Sequence, residues 1–103
     1  MTDFNSSDDL DRVADYFRVL ADPSRLSMLR CLLAEGEMNV GRIGTITKQS
    51  QANTSKHLKL MMETGLLTRR KVGLLVYYRV ADPVVEQVFR LVSSIVRKEI
   101  AES

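Results

Sequence analysis

Two Asp-Pro pairs, Asp22-Pro23 and Asp82-Pro83, restrict where helices can begin in this chain. Aspartate is a strong N-cap residue, and proline at the first helical position gives up no hydrogen bond and already has a helical φ angle. Gly36 and Gly65 each follow a segment with apolar residues at helical spacing, where glycine is a natural stop. The pattern therefore predicts short helices with sharp ends.

Apolar spacing and turn residues together predict five helices and one hairpin. The third helical segment contains two glycines and two threonines, so its intrinsic helix propensity is low. Only tertiary packing would stabilise it as a helix. Strand-favouring residues on both sides of Val72-Gly73 predict the hairpin. The expected helices span 8–21, 22–36, 39–47, 50–64 and 83–101, and the hairpin spans 66–80.

Two short helices joined by a tight turn and followed by a basic hairpin outline a winged helix-turn-helix. The expected fold class is mainly α, of the α+β type, with five helices and a two-stranded wing. At this length the chain has room for one domain, 1–103. The helix-turn-helix would occupy 39–64 and the wing 66–80, while residues 1–7 would form a disordered tail.

The second helix of the motif has the two faces that a DNA-reading helix needs. Thr54, Leu58 and Met61 follow a helical interval and are expected to turn inward. The polar residues near its N-terminus would face outward, where glutamine and asparagine can pair with adenine and lysine can reach guanine or phosphate. For His57, a phosphate contact or a structural hydrogen bond is expected. The predicted DNA contacts in this helix are Ser50, Gln51, Asn53, Ser55, Lys56 and His57.

Charge is segregated along the chain although the net charge is only +2. Residues 42–79 contain eight cationic side chains and one carboxylate, a net charge of +7, whereas 1–41 carry −4 and 80–103 carry −1. This distribution is typical of a surface that binds phosphates. Strand alternation places Arg69 and Lys71 on one side of the wing and Arg70 on the other. The predicted wing contacts to DNA are Arg69, Arg70, Lys71 and Arg79.

Four motifs resemble the ArsR-type family of bacterial and archaeal repressors, at family spacing and over about residues 10 to 101. The resemblance implies a dimeric repressor of double-stranded DNA that covers an operator and excludes polymerase. Ala52 stands where the family often has serine, and Leu74 stands at the wing tip where a polar or cationic residue is usual. Arg42, Thr47 and Gln49 stand at positions where members of the family have glutamate or leucine types. The motifs are Ala21-Asp22-Pro23-Ser24-Arg25-Leu26, Ser50 to Leu60, Thr64-Gly65-Leu66-Leu67 and Val76-Tyr77-Tyr78-Arg79.

The last predicted helix is apolar over about half of its circumference, well above the ~100° stripe that covers a single core. Left exposed, that surface would favour aggregation, so a homodimer through helices 8–21 and 83–101 is expected. The alternative is that the helix folds back as ordinary core. A two-fold dimer would present its recognition helices about 34 Å apart or slightly less, as for a near-palindromic operator. The predicted interface residues are Leu10, Val13, Phe17, Val85, Val88, Val92, Ile95 and Val96.

Residues that bind metals or carry out catalysis are scarce. The single histidine, His57, and the single cysteine, Cys31, lie in different predicted helices, so no metal site, cofactor or catalytic residue is predicted. Cys31 lies beside leucines and is expected to be a buried, inert thiol, with a redox sensor as the alternative. The residues identify no effector.

Location and a second function class can also be judged from the residues. The acidic N-terminus contains no apolar stretch, and the longest apolar run, Leu74 to Tyr78, is far too short for a membrane span. A cytoplasmic protein without a membrane partner is predicted. The alternative function is a winged-helix module that binds proteins and not DNA, and the +7 segment argues against it.

Overall fold

The computed structural model describes residues 7–102 of the chain, and the side chains of 7–98. It confirms five helices and a hairpin wing. The predicted tail at 1–7 falls on residues 1–6, which lie outside the described part, and on Ser7, which begins the first helix and so corrects that boundary. The elements are α1 Ser7–Leu20, α2 Pro23–Glu35, β1 Met38–Asn39, α3 Val40–Thr47, α4 Gln51–Glu63, β2 Leu67–Val72, β3 Leu75–Val80 and α5 Pro83–Glu102.

Side-chain caps start the three middle helices where the sequence predicts. The Asp22 carboxylate accepts from the Arg25 amide at 2.9 Å and begins α2. Asn39 accepts from the Arg42 amide, and the Ser50 hydroxyl oxygen accepts from the Asn53 amide at 3.1 Å. Each cap satisfies an amide that has no partner inside its own helix. The starts of α2, α3 and α4 are therefore set by local chemistry.

The wing is part of a three-stranded antiparallel sheet with the order β1-β3-β2. The expectation of a two-stranded hairpin omitted β1, where Met38 pairs with Tyr78 and Asn39 with Tyr77. Met38 is buried in the core, and a two-residue strand is too short to show the alternation by which strands are recognised. The extra strand ties the segment after α2 to the base of the wing.

The hydrophobic core lies between α2, α3, α4 and the base of the sheet, with one residue each from α1 and α5. Val85, predicted to lie in a dimer interface, is only 4% exposed and packs into this core, which leaves it little free surface for a partner. Its place in the first turn of α5 brings it close to the body of the subunit. The buried core residues are Val19, Met28, Leu29, Cys31, Leu32, Met38, Ile43, Leu58, Met61, Leu66, Leu67, Tyr78 and Val85.

Gly44 allows α3 and α4 to pack closely. It is buried and faces Thr54, which is fully buried and whose hydroxyl donates to the Ser50 carbonyl at 2.8 Å. A Cβ atom at Gly44 would lie 3.0 Å from Thr54 Oγ1 and 3.2 Å from the Gln49 carbonyl oxygen. Both distances are tighter than ordinary contacts, and the second neighbour is backbone, which cannot rotate away. The glycine in this low-propensity helix therefore serves packing.

We expect Gly44→Val to lower the free energy of unfolding by about 1–3 kcal/mol, because the added methyl groups must push α4 away from α3. Gly41→Val is the matched control, since Gly41 is also in α3 but exposed. A Cβ atom at Gly41 would meet only Asn39 Oδ1, at 3.4 Å. The control carries the same β-branched residue in the same helix. Urea unfolding measures both variants, and equal losses would show that the close contact is not what Gly44 provides.

Candidate nucleic-acid interface

The helix α4 separates a buried face from an exposed polar face. Thr54, Leu58 and Met61 are all fully buried, which confirms the predicted inward side. The predicted contact residues other than His57 are exposed: Ser50, Gln51, Asn53, Ser55 and Lys56. The first turn of α4 contains no acidic residue, and its Gln51 and Ala52 amides have no partner within the helix, whereas the Asn53 amide donates to Ser50. This end of α4 therefore offers hydrogen-bond donors, an amide-bearing side-chain pair and a positive helix terminus to an anionic, hydrogen-bonding partner.

The cationic side chains of the wing are divided between the two faces of the sheet. Arg69 pairs in register with Tyr78, Lys71 with Val76, and Arg70 with Tyr77. Because cross-strand partners share a face, Arg69 and Lys71 lie on the face that packs on the core, and Arg70 lies on the opposite face. This confirms the predicted alternation. Arg69, Arg70, Lys71 and Arg79 are all exposed.

Arg70 is engaged inside the subunit, which the sequence did not reveal. Its guanidinium donates to both carboxylate oxygens of Glu37 at 2.7–3.0 Å and lies 5.4 Å from the centre of the Tyr77 ring. The hydrogen bonds from Arg70 hold the pKa of Glu37 below its usual range. Glu37 is 33 residues away in the chain and immediately precedes β1, so no short-range pattern points to the pair. Arg70 therefore differs from Arg69 and Lys71, whose cations have no carboxylate partner among the described residues.

His57 is partly buried and faces Arg25, which lies in the first turn of α2 after Asp22-Pro23. An Arg25 Nη1 atom lies 3.4 Å from His57 Nδ1, across 32 residues of sequence. The turn before α4 makes a second link to the same region, since the Gln49 side chain donates to the Ser24 hydroxyl at 3.4 Å. The first turn of α2 thus contacts both α4 and the segment that joins α3 to α4. The sequence does not indicate the contact between Arg25 and His57, because each looks like an ordinary helix residue.

The terminal helices leave apolar side chains uncovered. Leu91 is 67% exposed, Ile95 60% and Phe17 56%, while Val88 is only partly exposed. Leu10, Val13, Val92 and Val96 of the predicted interface are also exposed. A groove of about 790 Å³ runs between α1, α2 and α5 and includes Phe17, Val88, Val92 and Val96 in its lining. The apolar arc of α5 is therefore only partly used by its own subunit.

Cys31 is 8% exposed within the core. Burial is the main cause that raises the pKa of its thiol, and the nearby Glu35 carboxylate raises it further. A protonated, enclosed thiol is a poor nucleophile. Among the described residues no group of three or more His, Cys, Asp or Glu side chains is placed to hold a metal ion. None of the helices in the described range is long and apolar enough to cross a membrane.

Residues 22–69 match the family described as "Bacterial regulatory protein, arsR family". The chain is 31% identical over 85 residues to the HTH-type transcriptional regulator MJ1325 of Methanocaldococcus jannaschii, covering 82% of this chain and 96% of that protein. It is 43% identical over 65 residues to the arsenical resistance operon repressor of Escherichia coli. That match covers 63% of this chain and 56% of the repressor, so the chain spans little more than half of that relative.

A solved structure is similar over nearly the whole chain. It is the homodimeric winged helix-turn-helix DNA-binding domain, fragment 1–100, of Mb0332 from Mycobacterium bovis, described as a possible ArsR-family transcriptional regulator. The two chains are 33% identical with a TM-score of 0.82, and the alignment covers 95% of this chain and 90% of that one. The shared fold includes the helix-turn-helix and the wing.

We expect Arg70→Gln to return the pKa of Glu37 toward its usual value, because the hydrogen bonds that favour the carboxylate are lost. A lowered folded-state pKa means that the pair stabilises the fold above the unfolded-state pKa of about 4.3, and that this contribution is lost as pH falls through the folded-state value. Arg69→Gln is the control, since Arg69 lies on the other face of the sheet. Side-chain carboxyl NMR titration reports the change, and an unaltered Glu37 titration in Arg70→Gln would contradict the pairing.

Proposed function

This chain belongs to the arsR family of bacterial regulatory proteins and is a DNA-binding transcriptional regulator, and we propose that it represses transcription by binding a near-palindromic operator as a cytoplasmic homodimer. The observation that carries the proposal is the division of α4, whose apolar face is fully buried while its polar N-terminal half is exposed. A helix held in this way can enter a major groove without losing core contacts. The protein-interaction alternative is not favoured.

In the proposed complex α4 reads bases and the wing binds the backbone. Gln51 and Asn53 present amides that can pair with adenine, and Lys56 can reach guanine or a phosphate. Ser50 and the free amides of the first turn suit a phosphate oxygen. Arg69, Lys71 and Arg79 supply cations for further phosphates or the minor groove. Arg70, held by Glu37, contributes less to this attraction because its charge is already partly balanced.

The proposed dimer joins the uncovered apolar surfaces of α1 and α5. Leu91, Val92 and Ile95 are each more than half exposed, and aliphatic groups of this size gain roughly 25 cal/mol per Å² when removed from water. The Mycobacterium bovis neighbour is homodimeric and has the same fold. Two-fold symmetry would place two copies of α4 in successive major grooves, about 34 Å apart. Bound at a promoter, such a dimer would exclude polymerase.

We expect Gln51→Ala to weaken binding to a selected operator by about 1–3 kcal/mol while affinity for random duplex DNA is unchanged, because an amide contact to a base edge carries sequence information. Gln87→Ala is the control, since Gln87 is an exposed glutamine on α5. Operators would be selected from genomic fragments by the wild-type protein, and affinities measured by fluorescence anisotropy. Equal losses on operator and random DNA would contradict base reading by Gln51, and no DNA affinity at low salt would contradict the function.

We expect Val92→Glu to produce monomers, because each dimer would bury two unpaired carboxylates in an apolar contact. Operator affinity should fall with it, since a monomer engages only one half-site. Ser94→Glu adds the same charge to the polar side of α5, where Ser94 is exposed, and should leave the dimer intact. Sedimentation velocity distinguishes the species. A dimeric Val92→Glu protein would show that the subunits join elsewhere.

A further inference from the structure

We propose that Arg25 is a positioning residue of the DNA interface: it orients His57 so that the imidazole Nε2–H donates to a backbone phosphate, and it fixes α4 to the end of α1. The proposal rests on DNA binding through α4. Arg25 is partly buried between three helices and does not itself need to touch DNA. Its role would be to decide how another side chain meets the ligand.

The guanidinium of Arg25 caps two backbone carbonyls in the last turn of α1. Its Nε donates to the Val19 carbonyl at 2.5 Å, and Nη2 donates to the Arg18 carbonyl at 3.4 Å. Carbonyls in the last turn of a helix lack amide partners within that helix, so they accept from outside. The Asp22 cap holds the Arg25 amide, and that hydrogen bond is the main reason why the pKa of Asp22 is lowered. The Asp22 carboxylate thus remains charged close to the arginine.

The remaining contact of Arg25 bears on which neutral tautomer His57 adopts. A guanidinium has donors only, so in the 3.4 Å contact between Arg25 Nη1 and His57 Nδ1 the imidazole nitrogen must accept. An accepting Nδ1 carries no hydrogen, and the neutral ring then carries its hydrogen on Nε2. Arg25 therefore favours one of the two neutral tautomers. Free histidine would populate both.

The Nε2 atom of His57 is available to a ligand. None of the described residues makes a hydrogen bond to it, and no buried side-chain nitrogen or oxygen in the described part of the chain lacks a partner, so Nε2 is not fully enclosed. His57 follows Lys56 on α4, inside the segment with a net charge of +7. An N–H donor in a cationic environment is suited to a phosphate oxygen. The tautomer that Arg25 selects is the one that can donate outward.

Arg25 also joins the two proposed activities of the subunit. Its side chain contacts α1, whose Phe17 lies on the uncovered apolar surface, and α4, which carries the polar DNA-facing residues. The nearby hydrogen bond from Gln49 to Ser24 secures the turn before α4 to the same helical turn of α2. A rigid connection of this kind would keep the recognition helix at a constant position relative to the dimer axis.

The tautomer is measured first, on the tag-free wild-type protein, whose single histidine makes the imidazole signals unambiguous. At a pH of about 8, where free imidazole is neutral, long-range ¹⁵N–¹H NMR should show a protonated Nε2 and an unprotonated Nδ1. Arg25→Met retains the apolar stem without donors and should shift the signals toward a mixture of tautomers. A protonated Nδ1 in the wild-type protein would overturn the proposal without any variant.

DNA affinity is measured next, in a double-mutant cycle. Arg25→Met should weaken operator binding roughly tenfold, as expected for loss of a hydrogen bond to a charged group, with the dimer retained. In a His57→Ala background the same change should cost much less, because the residue through which Arg25 acts is gone. Arg90→Met, at an exposed arginine of α5 outside the groove between α1, α2 and α5, is the control and should have little effect.

The outcomes separate this proposal from the function on which it depends. A wild-type protein that binds no DNA would contradict the function, and the NMR result would still report the Arg25–His57 contact. A wild-type protein that binds its operator, combined with full affinity in Arg25→Met, would overturn the positioning role. An equal loss in both backgrounds would also overturn it, since that pattern indicates an effect of Arg25 that does not pass through His57.

Discussion

The close contact of α4 with α3 is the constraint on which the other features of the structure depend. Thr54, Leu58 and Met61 have no free surface, and Gly44 lets the two helices approach so closely that a Cβ atom there would lie 3.0 Å from Thr54 Oγ1. Because three residues of α4 are buried against the core, the polar residues on the opposite side of this helix must face solvent. The exposed polar surface of α4 is therefore a consequence of core packing.

Electrostatics acts on top of this packing. Most of the positive charge between residues 42 and 79 lies on exposed side chains of α4 and the wing, which makes it available to phosphates over a distance of roughly one Debye length. The Glu37–Arg70 pair is an exception, and it lies on the face of the sheet opposite Arg69 and Lys71. The wing thus has exposed cations on both faces: Arg69 and Lys71 on one, and Arg79 on the other, where Arg70 is held by Glu37 and Tyr77.

The helix α5 differs along its length: its start packs into the core of the subunit, and its middle exposes apolar side chains. Its first turn contributes Val85 to the core, while Leu91, Val92 and Ile95 remain largely exposed. A helix with this distribution is anchored at one end and free along its length, and the free part adjoins the exposed side of α1 at Phe17. The groove between α1, α2 and α5 is continuous with these side chains, which gives a second copy of the chain a concave apolar surface.

The sequence by itself determined the helix starts and ends, the hairpin, the inward face of α4 and the alternation of cations along the wing. Each of these depends on residues within one or two turns of each other: Asp22 and Arg25, Ser50 and Asn53, Thr54 and Leu58. Only the tertiary structure decided that β1 joins the sheet, that Val85 belongs to the core, that Glu37 binds Arg70 and that Arg25 meets His57. In the β1, Glu37–Arg70 and Arg25–His57 contacts the partners are from about 30 to 40 residues apart. Capping and periodicity are local preferences of the backbone, whereas a contact between distant side chains exists only once the core has brought their helices and strands together.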